Sequence, residues 1–198
     1  MVFRTQMNNG RLEAFSDGVL AIIITIMVFD IKAPELTSWE ALKSVWPVFL
    51  SFVLSFIHVG IYWNNHHHMM KLSTRVNGSI LWANMHLLFW LTLVPFTTSW
   101  LGRSNFAAIP TQLYGVSLGM CGVAYWILQT VIIRSQGTNS LLARAIGNDL
   151  KGRSSIVGYV LGVLVSPYDS RISMVIYAAL AAMWLIPDPR IERFVEEC

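Results

Sequence analysis

The chain has 198 residues, of which 55% are hydrophobic and 13% are charged, and its formal net charge is +3. Soluble domains usually carry about 25% charged residues, so this composition excludes an ordinary soluble protein and predicts a single all-α membrane domain over residues 1–198. The basic residues are scattered and form no stripe, which argues against nucleic-acid binding. Cys121 and Cys198 are far apart, and we expect no disulfide framework.

Apolar runs predict the membrane helices. A helix needs roughly 20 apolar residues to cross a bilayer. Six runs approach this length and predict six transmembrane helices, at about 12–32, 44–65, 80–101, 111–134, 154–167 and 172–187. The fifth run is short and glycine-rich, so we expect it to cross a thinned region or to lie among its neighbours. The Thr37–Glu40 pair, spaced as a capping box, separates the first two helices.

The distribution of Lys and Arg orients this set of helices. Six spans place both termini on one side of the membrane. That side holds Arg4, Arg11, Lys71, Arg75, Arg134, Arg144, Lys151, Arg153, Arg190 and Arg193. The other side holds only Lys32, Lys43, Arg103 and Arg171. The positive-inside rule therefore predicts a multi-pass protein of the plasma membrane with both termini in the cytoplasm.

The first helix combines charges with an apolar segment. Arg11, Glu13 and Asp17 precede the segment Val19–Phe29, in which Thr25 is the one polar residue. An acid on a membrane helix costs about 2.5–3.5 kcal/mol at the bilayer centre and less near its edge. Such a group is retained where it pairs with a partner or lines a path, so we expect the functional residues on this helix.

One side of the first helix forms a narrow stripe. At about 100° per residue, Gly18, Ile22, Thr25 and Phe29 share this stripe, and Ile26 borders it. An Ile/Phe face is often packed in a core or turned toward lipid. The same face from several subunits would instead make a pore wall with a hydrophobic constriction, which can gate by dewetting.

The second helix ends in three consecutive histidines, His66, His67 and His68. Successive helical residues point about 100° apart, so these three side chains cannot face one ion. We therefore predict no metal site and no cofactor. One histidine is expected to face Asp17, which lies about 100° from the stripe and is interpreted as a structural lock rather than a proton relay.

A motif at the start of the first helix resembles the signature of a known family. The motif is Arg11-x-x-x-Phe15-Ser16-Asp17-Gly18. It resembles the bacterial branch of the transmembrane protein 175 (lysosomal potassium channel) family. The likeness extends to Trp63-x-x-His66-His67 and to Leu93-x-Pro95-Phe96. The resemblance implies a homotetramer of six-helix subunits in which helix 1 of each subunit lines a central pore. Members of this family conduct potassium without the Thr-Val-Gly-Tyr-Gly filter, and this sequence does not contain that motif either.

The resemblance assigns roles residue by residue. The main hydrophobic constriction falls on Ile22, the hydroxyl layer on Thr25, and further apolar layers on Ile26 and Phe29. The permeant potassium ion would pass Ile22 and Thr25. Phe29 stands where a smaller aliphatic residue is usual, and its ring either narrows the outer mouth or folds aside. The polar network that braces helix 1 is implied to comprise Arg11, Ser16, Asp17, His66 or His67, and more weakly Asn84 and Trp90.

The leading hypothesis is a potassium-permeable cation channel with a hydrophobic gate. Each span has too few polar residues to coat a pore by itself, so the chain is expected to form a homo-oligomer, with four as the family's number. The alternatives are a proton or metal-ion carrier that uses Asp17 and the helix-2 histidines, a membrane-embedded metalloenzyme built on the histidines, and a structural or sensor protein. The sequence contains no nucleophile elbow, zincin motif or phosphate loop, so we predict no enzyme.

Overall fold

A computed structural model of the chain describes residues 9–147 and 149–185. The nine helices in these ranges are α1 (Asn9–Val28), α2 (Trp39–Ser44), α3 (Trp46–Lys71), α4 (Gly78–Thr92), α5 (Val94–Arg103), α6 (Ala108–Gln136), α7 (Leu141–Ile146), α8 (Leu150–Val165) and α9 (Ser170–Leu185). The predicted all-helical fold is confirmed for this part of the chain. Cys198, Arg4, Arg190, Arg193 and the predicted end of the last helix at 187 lie outside it.

Within the described residues, three helical segments are long and apolar enough to cross a membrane by length and composition. These segments are Trp46–Lys71, Gly78–Arg103 and Ala108–Gln136, and Ser170–Leu185 is a shorter apolar helix. The second segment joins α4 and α5. Helix α1 has 20 residues, but it carries three charged side chains in its first half. These segments support the prediction of a helical membrane protein.

Helix boundaries differ from the predicted ones for identifiable reasons. The span predicted at 80–101 is divided at Leu93, because Pro95 in the first turn of α5 has no N–H to continue the hydrogen-bond ladder of α4. The cap of α2 is Ser38, whose hydroxyl accepts from the Ala41 N–H at 3.2 Å, so the capping box expected at Thr37 was wrong by one residue. Asn77 caps α4 at the predicted turn.

The centre of the fold lies along α6. Leu118, Cys121, Ala124 and Leu128 follow a spacing of three or four residues and are each buried. This spacing places them on connected faces of the helix. Helix α6 is in contact with α4, α5, α8 and α9, so it supports the remaining helices.

Small residues allow α6, α8 and α9 to meet around one ring. Tyr177 of α9 is fully buried. A Cβ atom added to Gly115 of α6 or to Gly162 of α8 would collide with the Tyr177 ring. The two glycines therefore make the space that Tyr177 fills between these helices.

Helix α1 packs through one side only. Its buried residues are Leu12, Ser16, Leu20, Ile23 and Met27, spaced three or four apart. They face α3, α4 and α5, which are the helices that α1 contacts most. Because α1 is a single helix on one flank of the subunit, its opposite side is left without a neighbour from the described part of the chain.

The helix predicted to reach residue 32 ends at Val28. The next N–H groups bond three residues back, as Phe29 does to the Ile26 carbonyl at 3.1 Å. Asp30 then accepts a hydrogen bond from Arg103 at the end of α5, with 2.7 Å between Oδ1 and Nη2. This ion pair fixes the segment after α1 to the end of α5.

Candidate pore helix and its polar network

The uncovered side of α1 is the stripe that the sequence predicts. Ile22 is 58% exposed, and Thr25 and Ile26 are also exposed. Gly18 is exposed too, and a Cβ atom added to it would meet nothing within 4 Å. The side is therefore apolar, carries one hydroxyl, and is open to a neighbour outside the described chain.

The Thr25 hydroxyl is held by its own helix. Its Oγ1 lies 3.0 Å from both the Ala21 and the Ile22 carbonyl oxygens, to which its proton is donated. A hydroxyl bonded in this way to the preceding turn keeps its oxygen lone pairs outward. Thr25 therefore presents an acceptor on a surface that is otherwise hydrocarbon.

Phe29 directly follows the last residue of α1 and begins a tighter turn. The N–H groups after Val28 bond three residues back, which winds the chain more tightly than an α-helix. The place of Phe29 on the stripe stays a prediction. Its ring is 79% exposed, which makes it the most exposed apolar side chain of this segment.

Behind the uncovered face, three buried polar side chains connect three helices. The Asn84 amide of α4 donates from Nδ2 to the Ser16 Oγ of α1 at 2.9 Å. The Ser16 hydroxyl donates to the Leu12 carbonyl at 2.9 Å. His66 of α3 lies 2.8 Å from the Asn84 Oδ1. The structure thus brings together three of the residues expected in the network, and each is fully or almost fully buried.

The direction of these hydrogen bonds determines which ring nitrogen of His66 carries a proton. Because the amide nitrogen of Asn84 donates to Ser16, its oxygen can only accept, so Nε2 of His66 must carry the proton. Within the described residues, the buried Nδ1 of His66 has no hydrogen-bond partner. A chain of donors that ends on a backbone carbonyl holds α1, α3 and α4 in register and offers no reactive nucleophile.

Two further pairs join α1 to α3 at the more exposed edge. His67 Nδ1 and Glu13 Oε1 lie 2.5 Å apart. The Trp63 indole N–H donates to Asp17 Oδ1 at 3.1 Å. The rings of Trp63 and His67 are stacked, with centroids 6.4 Å apart. The hydrogen-bond partner of Asp17 is thus an indole rather than the expected histidine, and the histidine nearby pairs with Glu13.

Two predicted network residues lie apart from these contacts. The Trp90 indole donates to His86 Nε2 at 3.0 Å within α4, so the structure places this weaker candidate in a bond of its own helix. Arg11 is exposed and has no hydrogen bond or ion pair with another described residue.

Glu13 and Trp63 are contacts that the sequence reasoning missed. The signal available in the sequence was spacing, because Glu13 and Asp17 are four residues apart on α1, as Trp63 and His67 are on α3. Residues four apart share a helix face. The two pairs therefore form a ladder of four side chains between α1 and α3.

No group of three or more His, Cys, Asp or Glu side chains within residues 9–147 and 149–185 is arranged to hold a metal ion. We expect purified, tag-free protein to contain less than about 0.1 equivalent of zinc, copper or iron per chain, because catalytic zinc requires about three protein ligands. Elemental analysis measures this content. One equivalent of metal, lost in His66→Ala or His67→Ala, would contradict the prediction.

The fold and this site define a helical membrane protein whose first helix is braced on one side and uncovered on the other. Residues 11–95 match the family model described as "Endosomal/lysosomal potassium channel TMEM175". Together with the relatives below, this match shows that the chain belongs to the TMEM175 family. It is a family of potassium channels and not of enzymes.

Relatives from bacteria support this assignment. A potassium channel of Chryseobacterium sp. (strain P1-3) is 54% identical over 191 residues, which cover 96% of this chain and 100% of the relative. A potassium channel of Streptomyces collinus is 36% identical over 129 residues, which cover 60% of this chain and 63% of the relative.

The fold is also similar to a solved structure. The crystal structure of a lysosomal potassium-selective channel TMEM175 homolog from Chamaesiphon minutus aligns with a TM-score of 0.79 and 28% sequence identity. The alignment covers 91% of this chain and 98% of that chain. The resemblance therefore extends well beyond residues 11–95.

Proposed function

We propose that the chain is a potassium-permeable cation channel in which α1 of each subunit lines a central pore. The observation that carries this proposal is the uncovered side of α1, where Ile22, Thr25 and Ile26 are exposed opposite a tightly packed face. An apolar stripe with a single hydroxyl suits a narrow pore better than a general subunit surface. Membership of the TMEM175 family and the potassium-channel names of the bacterial relatives support it.

The proposed subunit has six spans, formed by α1, α3, α4 with α5, α6, α8 and α9. Helices α8 and α9 have 16 residues each. At 1.5 Å per residue they are about 24 Å long, shorter than a hydrocarbon core of about 30 Å. Local thinning of the bilayer would accommodate them. Both termini then lie in the cytoplasm of a plasma-membrane protein, as the Lys and Arg distribution predicts.

The proposed assembly is a homotetramer. One α1 supplies only one wall of a pore, whereas a closed rotational arrangement places the same side of α1 around a common axis. Four Ile22 side chains would form the constriction, and four Thr25 oxygens would form the next layer. Ile26 and then Phe29 would continue the wall toward the outer mouth.

This arrangement explains how potassium would be admitted and controlled. A hydrated cation gains nothing from a ring of isoleucines and must shed water to pass it. The Thr25 oxygens, whose lone pairs face outward, can replace part of the lost water. We propose that the contacts of Ser16, Asn84 and His66, with those of Glu13 and Asp17, hold the rear of α1, while Arg11 lies at its cytoplasmic end.

Current recordings from the purified protein in liposomes test the proposal. We expect a current whose reversal potential follows the potassium gradient closely and the sodium gradient less closely. Protein-free liposomes should show no such current. A current that follows only the proton gradient would overturn the channel proposal. It would favour the carrier alternative that uses Asp17 and the histidines.

Asp17 is expected to act as a structural contact of α1 and not as an ion site. Asp17→Ala removes the acceptor of the Trp63 indole, and we expect a loss of about 1 kcal/mol of stability, since hydrogen bonds to charged groups contribute about 1.5–3 kcal/mol when buried and Asp17 is partly exposed. Asp17→Asn keeps an acceptor oxygen and should lose less. Thermal unfolding measures both changes.

A double-mutant cycle with Trp63→Phe isolates the contact of Asp17. We expect Asp17→Ala to destabilise the protein by a smaller amount when Trp63 is already replaced. The potassium-to-sodium permeability ratio should change little in either single variant. Normal stability with a large change in that ratio would show that Asp17 contacts the ion.

A further inference from the structure

A cavity of about 260 Å³ lies between α3, α6, α8 and α9, away from the uncovered side of α1. Its wall is mostly apolar and aromatic, and includes Ile61, Tyr62, Tyr159 and Leu180. Trp126, also in the wall, is half exposed, so this part of the cavity wall reaches the outside of the subunit. An apolar cavity with an opening in a membrane protein can receive a hydrocarbon chain.

The part of the cavity at the start of α8 is polar. It is lined by Asp149, the N-cap of α8, and by Gly152 and Arg153, together with Gln129 and Trp184. The Arg153 side chain is exposed and makes no hydrogen bond or ion pair with another described residue. This end of the cavity therefore presents an available guanidinium group.

The acid beside Arg153 is already engaged. Asp149 accepts from the Gly152 N–H at 3.1 Å through Oδ1 and from the Gln129 amide at 3.4 Å through Oδ2. Because both oxygens of Asp149 already accept hydrogen bonds, the carboxylate does not need Arg153 as a partner. The guanidinium group of Arg153 therefore favours an anionic ligand at this end of the cavity.

We propose that this cavity binds an anionic phospholipid of the surrounding bilayer, with one acyl chain between the helices and the phosphate at Arg153. The side chains outside the cavity on α8, such as Val157 and Val160, are exposed and apolar, as expected for a surface that faces lipid. A guanidinium group binds phosphate oxygens in a bidentate manner. Indole rings such as that of Trp184 are typical of the level at which headgroups lie.

The proposed orientation of the chain fits this ligand. With both termini in the cytoplasm, the start of α8 lies at the cytoplasmic leaflet, where anionic lipids are concentrated. The site is separate from the uncovered side of α1, and lipid binding can be measured without ion conduction. A failure of the lipid proposal is thus distinguishable from a failure of the channel proposal.

Native mass spectrometry of the detergent-purified protein tests the site with two lipids that differ in headgroup. We expect palmitoyl-oleoyl phosphatidylglycerol to bind about fivefold more tightly than palmitoyl-oleoyl phosphatidylcholine, since one basic residue near a surface contributes about 1 kcal/mol toward anionic lipid. Inorganic phosphate should not displace phosphatidylglycerol, because the acyl chain supplies part of the affinity. Displacement would indicate a free-phosphate site and overturn the lipid proposal.

Two variants separate the headgroup contact from the acyl-chain contact. Arg153→Gln should abolish the preference for phosphatidylglycerol. Arg171→Gln, a matched change at an exposed arginine on α9, should leave it unchanged. Gly122→Leu places a branched side chain against the cavity wall near Tyr62 and should weaken the binding of both lipids.

The result with Arg153 decides the proposal even if Gly122→Leu does not assemble. Arg153 is exposed, so its replacement is not expected to disturb folding. Equal binding of the two lipids to the unmodified protein, or an unchanged preference in Arg153→Gln, would overturn the proposal. So would unchanged binding in an assembled Gly122→Leu protein.

Discussion

Ile22→Asn is expected to raise the basal potassium current in liposomes by at least about tenfold and to lower selectivity for potassium over sodium. A tenfold increase corresponds to about 1.4 kcal/mol removed from the barrier. A ring of four isoleucines offers a dehydrating cation no compensation, whereas four amides supply oxygen ligands and hold water in the constriction. The same substitution also lowers the barrier for sodium. The channel therefore loses selectivity between the two ions together with its ability to close at this constriction.

The control for this substitution is an equally exposed isoleucine elsewhere. Ile172 on α9 is 51% exposed, against 58% for Ile22, so Ile172→Asn places the same amide on a surface of similar exposure. Ile24, on the other side of α1, is less suitable because it packs against the core and its replacement would also lower stability. Similar currents in Ile22→Asn and Ile172→Asn, or no change at Ile22, would exclude α1 as the pore wall in this register.

Local patterns predicted the helices and the stripe of α1. Gly18, Ile22 and Thr25 share one side of α1 because the angle between residues depends only on helical geometry. The opposite residues, such as Leu20 and Ile23, are buried as that geometry requires. Composition alone was sufficient to predict a helical membrane protein.

The contacts between helices could not be predicted in the same way. Whether Asp17 contacts a histidine or Trp63 depends on how far α3 is rotated and shifted against α1. The residue pattern of each helix taken alone does not determine this arrangement. The end of α1 at Val28, four residues before the predicted end, is followed by tighter turns that the apolar run does not reveal. The indole N–H of Trp90 donates to His86, four residues earlier on the same helix, so it does not require an acceptor on another helix.

The two sides of α1 differ in what they contact, and the proposed role of α1 as a pore wall requires such a difference. The rear side holds Ser16, fully buried and bonded through Asn84 to His66 on another helix. The front side carries exposed side chains, among them Ile22 and Thr25, that no other described helix covers. Substitutions on the front should therefore change conduction and leave stability intact, whereas those on the rear should do the opposite.

Asn84→Leu is expected to destabilise the protein by about 2–4 kcal/mol and to reduce recovery of the assembled oligomer. Leucine has nearly the shape of asparagine but leaves the Nε2–H of His66 without an acceptor. It also removes the hydrogen bond that Ser16 accepts, while Ser16 keeps its bond to the Leu12 carbonyl. A buried group left unpaired costs about 1–3 kcal/mol, and a lost hydrogen bond about 1 kcal/mol more. In a chain of this size each kcal/mol corresponds to a shift of about 2–4 °C in the unfolding temperature.

Asn65→Leu is the matched control, since the Asn65 side-chain amide donates to the Ile61 carbonyl of its own helix, at 2.8 Å, and to no other described residue. We expect it to change the unfolding temperature by less than half as much as Asn84→Leu. Asn84→Asp should fall between the two, because a carboxylate still accepts from His66 but cannot donate to Ser16. Thermal unfolding and size-exclusion chromatography measure these differences. If Asn84→Leu assembles normally and its unfolding temperature equals that of Asn65→Leu, the buried hydrogen bonds between α1, α3 and α4 do not hold α1 in place.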